Sequence, residues 1–353
     1  MFHHVKKFAL LLILLLVLVF PFLQVPKVYS TEATARNKAL SFIENVLPID
    51  ISQYNVTFTK YRETELPSFL SNGFSSERVT YTLESEESII DVICEIENDI
   101  LTLCMVTPKK GSVISDHEYA NLIDAANSFL DKYQTYTGED LEAIKNTLID
   151  VDPTENMTVT AGDIKLTISN GEVWGNKETS FDWRYVYNGC EYPGIFLVFS
   201  NGVFSTLNDG QIIYTIGSTD VNISEEHAIT IAMKHITNYS YAMPGSAEIS
   251  GFNVTEERTE AWLVPSPREP YTLYPLWNVM LYLNQTYPGS VYALLVGIWA
   301  DTGKVSSCSN QAAGGIIPEF PTWTPILIML VIFMVVAVIY RRILNKPNGG
   351  RRG

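Results

Sequence analysis

An uncharged run of 21 residues, from Phe320 to Tyr340, is the feature that most limits how this chain can fold. A helix of about 20 apolar residues is long enough to cross the hydrocarbon core of a bilayer. Arg341 and Arg342 follow the run directly, and basic residues beside a membrane span stay on the cytoplasmic side. The run is a better membrane span than a buried core helix, and it predicts a transmembrane helix at 324–342 with a basic cytoplasmic tail at 343–353.

A second apolar run lies near the N-terminus, where Lys6 and Lys7 precede residues 8–20 and Pro21 ends the unbroken stretch. This run is too short to span a bilayer comfortably, and the small residue Ser30 follows at a suitable cleavage position. Residues 1–30 are therefore predicted to be a secretory signal peptide, with a retained anchor as the alternative.

The acidic residues are confined to the region between these two runs. All 39 acids lie between Glu32 and Glu319, together with 16 of the 24 basic residues, which gives this region a net charge of −23. Such a charge repels phosphates, so a nucleic acid partner is not expected. The sequence predicts a single-pass protein of the cell membrane, with the bulk of the chain extracellular and the C-terminus cytoplasmic.

The residues just before the predicted span carry a motif. Pro318-Glu319-Phe320, followed by an apolar span and paired arginines, resembles the C-terminal surface anchor of many archaeal secreted proteins. The resemblance implies a linker at 313–323 and attachment to the cell surface. In some such families the tail is a sorting signal that is processed.

Glycosylation is expected for a chain that lies outside the cell. Six Asn-x-Ser/Thr acceptor sites occur in the acidic region, at Asn55, Asn156, Asn222, Asn238, Asn253 and Asn284.

Four cysteines lie in the same region, and an even number in an exported chain favours disulfides over metal ligands. Cys94 and Cys104 flank the turn residues Asn98-Asp99, so they are predicted to face each other across a hairpin and to form a bridge. The other two of the four cysteines, Cys190 and Cys308, would then form the second disulfide.

Three helix patterns divide the acidic region into three predicted units, at 31–110, 111–220 and 221–312. Each pattern places apolar residues on one helical face, with stripes at Ala39, Phe42, Ile43, Val46 and Leu47, at Tyr119, Leu122, Ile123, Ala126, Phe129, Leu130 and Tyr133, and at Ala228, Ile229, Ala232 and Ile236. Ser115 with Glu118 forms a predicted capping box for the second helix, and Ser224 is the predicted N-cap of the third.

After each predicted helix, apolar residues occupy every second position, as in a strand, and turn dipeptides separate these strand-like runs. The turns are predicted at Asn98-Asp99, Asn170-Gly171, Asn201-Gly202, Asp209-Gly210 and Asp301-Thr302-Gly303. The predicted fold class is α+β, with two to three units of one helix packed on an antiparallel sheet, plus the C-terminal transmembrane helix.

The second and third units share an order of residues that suggests duplication. Trp183 is followed by Tyr192-Pro193-Gly194, and Trp277 is followed by Tyr287-Pro288-Gly289.

The third unit, from its Ser224 helix start to the strand running into Asp301-Thr302-Gly303, resembles a PepSY-type domain. The resemblance implies a non-catalytic exported module that regulates peptidases or binds partners near the membrane. The segment from Pro265 to Pro270 departs from it and is expected to form a surface loop.

The sequence contains no complete catalytic motif of the common kinds. Asp301-Thr302-Gly303 matches the aspartic protease triplet, but that chemistry needs two such carboxylates, so the triplet is interpreted as a hairpin turn. His227 and His235 are eight residues apart, whereas a zincin pair needs four, and His117 is expected to be solvated. Neither a nucleophile elbow nor a phosphate-binding glycine loop occurs. No catalytic, cofactor-binding or metal-binding residue is predicted.

Acidic residues can serve as calcium ligands or as paired catalytic groups. The densest group, from Glu84 to Asp99, alternates with apolar residues in the pattern of a strand with one solvated face. Asp150, Asp152 and Glu155 lack the glycine of a calcium-binding loop. The favoured function is thus a membrane-anchored extracellular binding or peptidase-regulating module that contacts a protein or peptidase partner. The alternatives are an extracellular hydrolase with paired carboxylates and a structural envelope protein.

Overall fold

The computed structural model describes residues 32–64, 76–245 and 247–312. These residues form two compact units, the first comprising 32–220 with 264–275 and the second 221–263 with 276–312. The predicted signal peptide, the Pro-Glu-Phe linker, the transmembrane helix at 324–342 and the basic tail lie outside the described residues. Within the described ranges, no helix is both long and apolar enough to cross a membrane.

The described chain is mainly antiparallel strand with a few short helices, which confirms the α+β class. The helices are α1 (Glu32–Asn45), α2 (Leu122–Thr137), α3 (Glu142–Asn146) and α4 (Glu225–Ile236). The strands are β1 (Asn55–Thr64), β2 (Ser76–Glu84), β3 (Ile89–Glu97), β4 (Ile100–Lys110), β5 (Met157–Ala161), β6 (Ile164–Val173), β7 (Asn176–Tyr187), β8 (Cys190–Ser200), β9 (Val203–Asp209), β10 (Thr215–Ile216), β11 (Ser240–Tyr241), β12 (Ile249–Ser250), β13 (Glu260–Glu269), β14 (Thr272–Tyr287), β15 (Val291–Trp299) and β16 (Val305–Ala312).

The first two helix-plus-strand segments share one sheet. Its nine strands run in the order β1-β2-β3-β4-β9-β8-β7-β6-β5. Each segment is therefore a helix followed by a meander, and the last strands of the two meanders pair with each other, with Cys104 opposite Leu207. This pairing satisfies two edges that would otherwise carry unpaired backbone groups. The predicted units 31–110 and 111–220 thus form one sheet with one core.

Helices α1 and α2 cover the same face of this sheet. Phe42 of α1 makes an edge contact with Tyr133 of α2, at 6.2 Å between ring centroids, and Phe129 of α2 stacks on Phe204 of β9 at 4.9 Å. The alternating strand residues Val92, Cys94 and Ile96 are fully buried beneath them. Burial of apolar area at about 25 cal/mol per Å² makes this core the main source of the unit's stability.

In the second unit, α4 packs on β15 and β16, and β15 pairs antiparallel with both β14 and β16. Ala228, Ala232 and Ile236 form the buried stripe of the helix, as the sequence predicts, against sheet residues such as Val296 and Ile298. The Ser224 hydroxyl accepts from the His227 N–H at 3.3 Å, which confirms the predicted N-cap.

Several local predictions were wrong. Helix α2 begins at Leu122, because the Asn121 side chain accepts from the N–H groups of Ile123 and Asp124 at 2.8 and 3.0 Å. That cap replaces the predicted capping box of Ser115 and Glu118.

One predicted turn also lies elsewhere. Asn170 and Gly171 continue β6, and the turn of the β6–β7 hairpin is at Trp174-Gly175. At the predicted Asp209-Gly210 turn, β9 ends at Asp209 and the chain bends at Gly210. The expected surface loop from Pro265 is largely part of strand β13, which pairs with β14. The turns at Asn98-Asp99 and Asn201-Gly202 are as predicted, and all four residues have positive φ.

The two Tyr-Pro-Gly tripeptides have different structural settings. Tyr192-Pro193-Gly194 lies inside strand β8, whereas Tyr287 ends β14 and Pro288-Gly289 belongs to the following turn. The shared order of residues therefore does not correspond to a shared local structure.

Candidate functional site

The first unit contains a cleft of about 250 Å³ whose walls are rich in tyrosine. It is called the tyrosine cleft here. Its lining residues are Glu139, Tyr185, Tyr187, Tyr192, Pro193, Gln211, Ile212, Tyr214, Ile216 and Leu273.

Strands β7 and β8 supply three of the tyrosines. Tyr185 and Tyr187 are two apart on β7 and so point to one face of the sheet, and their rings are nearly parallel, with centroids 6.4 Å apart. Tyr192 lies opposite Tyr185 in the β7–β8 register and is tilted by 53° from Tyr187 at 5.9 Å. Strand geometry thus places three ring systems around one space.

Two of these tyrosines have their hydroxyl groups held by the surrounding backbone and side chains. Tyr185 Oη donates to Gln211 Oε1 at 2.6 Å, and Tyr192 Oη donates to the Ser218 carbonyl at 3.3 Å. Burial raises the pKa of Tyr185 to about 12 and raises the pKa of Tyr192 as well. Both hydroxyls are therefore neutral donors at physiological pH, and the rings are fixed in orientation.

A buried carboxylate holds the part of the cleft wall formed by Gln211 and Ile212. Asp209 Oδ1 accepts from the N–H groups of Gln211 and Ile212, at 3.0 and 3.3 Å, and Oδ2 accepts from Tyr133 Oη at 2.7 Å. Burial raises the pKa of Asp209 to about 6, although these hydrogen bonds act in the lowering direction. The carboxylate positions the two cleft residues that follow it.

The segment after these residues is held at its other end by the start of β14. The Thr215 N–H donates to the Tyr271 carbonyl at 2.8 Å, and the Gly217 N–H donates to the Leu273 carbonyl at 3.0 Å. The Tyr214 ring stacks on Tyr271 at 6.0 Å. The segment is therefore held by Asp209 of β9 at one end and by the start of β14 at the other.

Glu139 supplies the charge of the cleft. It follows Gly138, which ends α2 in the left-handed conformation with φ of 77°, as helix C-termini commonly do. Its carboxylate is exposed, and the described lining residues include no lysine, arginine or histidine. The cleft thus combines aromatic faces and apolar side chains with one carboxylate.

These groups can hold a ligand but are not arranged as a catalytic pair. Asp209 is fully buried and already accepts three hydrogen bonds, so it does not face the cleft as a second free carboxylate. Across the described ranges, no cluster of three or more His, Cys, Asp and Glu side chains is placed to bind a metal ion.

The predicted cysteine pair lies away from the cleft, in the core. Cys94 and Cys104 are directly opposite in the β3–β4 register, with Sγ atoms 3.8 Å apart and both side chains fully buried. Burial raises the pKa of the Cys104 thiol. Cys190 lies in the first unit and Cys308 in the second, and their pairing stays a prediction.

The six predicted glycosylation sites are all exposed, as an acceptor must be. They are Asn55, Asn156, Asn222, Asn238, Asn253 and Asn284. Their modification stays a prediction.

Asp301-Thr302-Gly303 closes the β15–β16 hairpin, as interpreted from the sequence. Gly303 has a φ of 71°, and its N–H donates to the Trp299 carbonyl at 2.8 Å. The triplet therefore has a structural role in the fold.

Sequence reasoning missed the tyrosine cleft. In the sequence analysis Tyr192 is only part of the repeated Tyr-Pro-Gly order, Asp209 is only part of a predicted turn, and Tyr185 and Tyr187 carry no prediction. The spacing of two tyrosines on one strand face was the available signal, but the partners that complete the cleft come from distant segments.

No protein-family model matches the chain, and no curated protein matches it. Among solved structures, the chain is similar to the Bacillus megaterium YpeB C-terminal domain, with 11% sequence identity and a TM-score of 0.29. The similarity covers 80% of this chain and 99% of that domain.

Proposed function

We propose that this chain is a non-catalytic binding module, displayed outside the cell and anchored at the membrane, that holds a protein partner at the tyrosine cleft. The observation that carries the proposal is the cleft itself. Its rings are fixed by hydrogen bonds from Tyr185 and Tyr192, and its wall is fixed by Asp209. Rigid aromatic side chains lose little conformational entropy on binding and are enriched where proteins recognise partners.

The displayed location is supported by the charge distribution and the terminal apolar runs of the sequence. The partner would be an exported protein, and an exported peptidase restrained by the module is one form of this role. The small volume of the cleft favours the capture of a side chain with its flanking backbone over a larger molecule, since small-molecule sites usually enclose about 300–1,000 Å³.

Site-specific crosslinking tests this proposal. A photoreactive phenylalanine analogue replaces Tyr187 in the full chain, and the matched control places it at Tyr292, which is 38% exposed in the second unit. We expect a discrete crosslinked partner only from position 187, and at least a tenfold loss of its capture when Ile216→Asp is added.

Equal crosslinking from both positions, or capture that Ile216→Asp leaves unchanged, would contradict the proposal. A hydrolytic activity of the purified chain that is lost in Glu139→Gln would instead favour the hydrolase alternative. Ordered self-assembly of the purified chain in place of partner capture would favour the structural envelope alternative.

A further inference from the structure

We infer that the group captured by the tyrosine cleft is a cation, namely a lysine or arginine side chain of the partner. The inference rests on the proposed binding role of the cleft and adds the chemical class of its ligand. Three observations support it: the geometry of the tyrosine rings, the acidic charge of the cleft lining, and the arginine–ring contacts found elsewhere in this chain.

The rings offer the surface that a cation prefers. The face of a tyrosine ring carries partial negative charge, and a cation within about 6 Å of the ring centroid is attracted to it. Tyr185 and Tyr187 are nearly parallel while Tyr192 is tilted by 53° from Tyr187, so ring surfaces border the same space in different orientations. Such an arrangement can contact a cation on more than one side.

The charged groups in the described cleft lining and directly behind it are acidic. Glu139 lines it, Asp209 lies behind its wall, and Glu97 is near enough to raise the pKa of Tyr214 and Tyr271, after the larger effect of burial. The described lining contains no basic side chain that would compete for the rings or for Glu139.

Basic side chains on the neighbouring strands already have acidic partners. Lys165 pairs with Glu191 at 2.6 Å, and Arg184 pairs with Asp182 at 3.0 Å. The negative charge of the cleft is therefore available to a ligand, and charge complementarity selects a basic partner over an acidic or neutral one.

This chain already places its own guanidinium groups on aromatic rings in the same way. Arg268 lies 4.2 Å from the ring centroid of Tyr274, and Arg258 lies 4.9 Å from that of Tyr282. Arg36 lies over Phe58 at 3.9 Å. A partner's basic side chain in the tyrosine cleft would repeat an interaction that the fold uses internally.

Methyl NMR on the full chain tests the inference, because Ile212, Ile216 and Leu273 line the cleft and report on its occupancy. The probes are three blocked tripeptides with central lysine, arginine or norleucine, of which norleucine matches the length of lysine without its charge. We expect the two basic peptides to shift these methyl signals, with affinity about tenfold above that of the norleucine peptide.

Removing the carboxylate of Glu139 and raising the salt concentration both test whether the charge of the peptide, and not only its shape, determines its affinity. Glu139→Gln should weaken the lysine peptide several-fold, and raising NaCl from about 0.05 M to about 0.5 M should weaken it further. The matched control Glu172→Gln, at an exposed site on β6 outside the cleft lining, should leave the affinity unchanged.

Equal affinity for the norleucine and lysine peptides would overturn the cation inference, as would methyl shifts caused by a neutral oligosaccharide but by no basic peptide. Partner capture that depends on Ile216 but not on Glu139 or on salt would also overturn it, while the proposed function stands. Capture that no cleft variant affects would overturn the proposed function itself.

Discussion

Tyr133 Oη donates a 2.7 Å hydrogen bond to Oδ2 of Asp209, and the two side chains are 1% and 0% exposed. This contact joins helix α2 to the end of strand β9, 76 residues further along the chain. Because the same carboxylate accepts from the N–H groups of Gln211 and Ile212, it connects the helical layer to the wall of the tyrosine cleft.

Replacing Asp209 by Asn should alter how stability depends on pH. Burial raises the pKa of Asp209 to about 6 in the folded chain, above its value of about 3.9 when unfolded. Between about pH 4 and 6 the folded state therefore binds more protons than the unfolded state, and the free energy of unfolding falls as pH rises.

The neutral Asn keeps the shape and removes this ionisation, so Asp209→Asn should gain about 1–2 kcal/mol relative to the native chain between pH 4 and pH 7. Denaturant unfolding of the full chain at several pH values measures the difference. Asp163→Asn, at an exposed site, is the control and should leave the pH profile unchanged. A difference between Asp209→Asn and the native chain that stays constant over this range would contradict the prediction.

Gly194→Ala should destabilise the first unit and disturb the cleft. A Cβ at this position would lie 2.3 Å from the Trp183 carbonyl oxygen, so strand β8 must move away from β7. We expect a loss of about 2 kcal/mol or more in the free energy of unfolding. Gly171→Ala is the matched control, since a Cβ there meets no atom within 4 Å, and it should be neutral or slightly stabilising. Similar unfolding midpoints for the two variants would count against this account.

Trp174→Asn should stabilise the β6–β7 hairpin. Trp174 has a φ of 54° and is 97% exposed, and Gly175 follows with a φ of 81°. Asn tolerates positive φ better than Trp and forms favourable turns with a following Gly, so a gain of about 0.5–1 kcal/mol is expected. Thermal unfolding measures it, with Trp262→Asn in strand β13 as a control that should give no gain. A lower melting temperature for Trp174→Asn would show that the indole contributes to stability despite its exposure.

Cys94 and Cys104 should form a disulfide when the chain is exported into an oxidising compartment. The two residues face each other in register with Sγ atoms 3.8 Å apart, so only a small movement closes the bond. Mass spectrometry of the denatured, unreduced protein should find this pair protected from alkylation and lacking two hydrogens. Alkylation of both thiols before reduction would contradict the prediction. Because both side chains are fully buried, the bond should form during folding.

Helices α1, α2 and α4 and three of the hairpin turns could be predicted because their signals are local. The apolar stripe of Ala228, Ala232 and Ile236 and the Ser224 cap depend on residues within one helix. The turns at Asn98-Asp99 and Asn201-Gly202 depend on two residues that accept positive φ. The failure at Asn170-Gly171 has a different cause, since cross-strand pairing continues β6 to Val173 in spite of a good local turn sequence.

The sequence by itself determined the α+β class, the strongly acidic character of the region between the apolar ends, and the cross-strand facing of Cys94 and Cys104. These follow from periodicity, charge and turn chemistry, which act over a few residues. The tertiary structure alone decided that two meanders join through β4 and β9, and that Glu139, Tyr187 and Ile216 line one cleft. Such contacts join segments far apart in the chain, and they are selected by the burial of the whole core and the pairing of strand edges rather than by any local pattern.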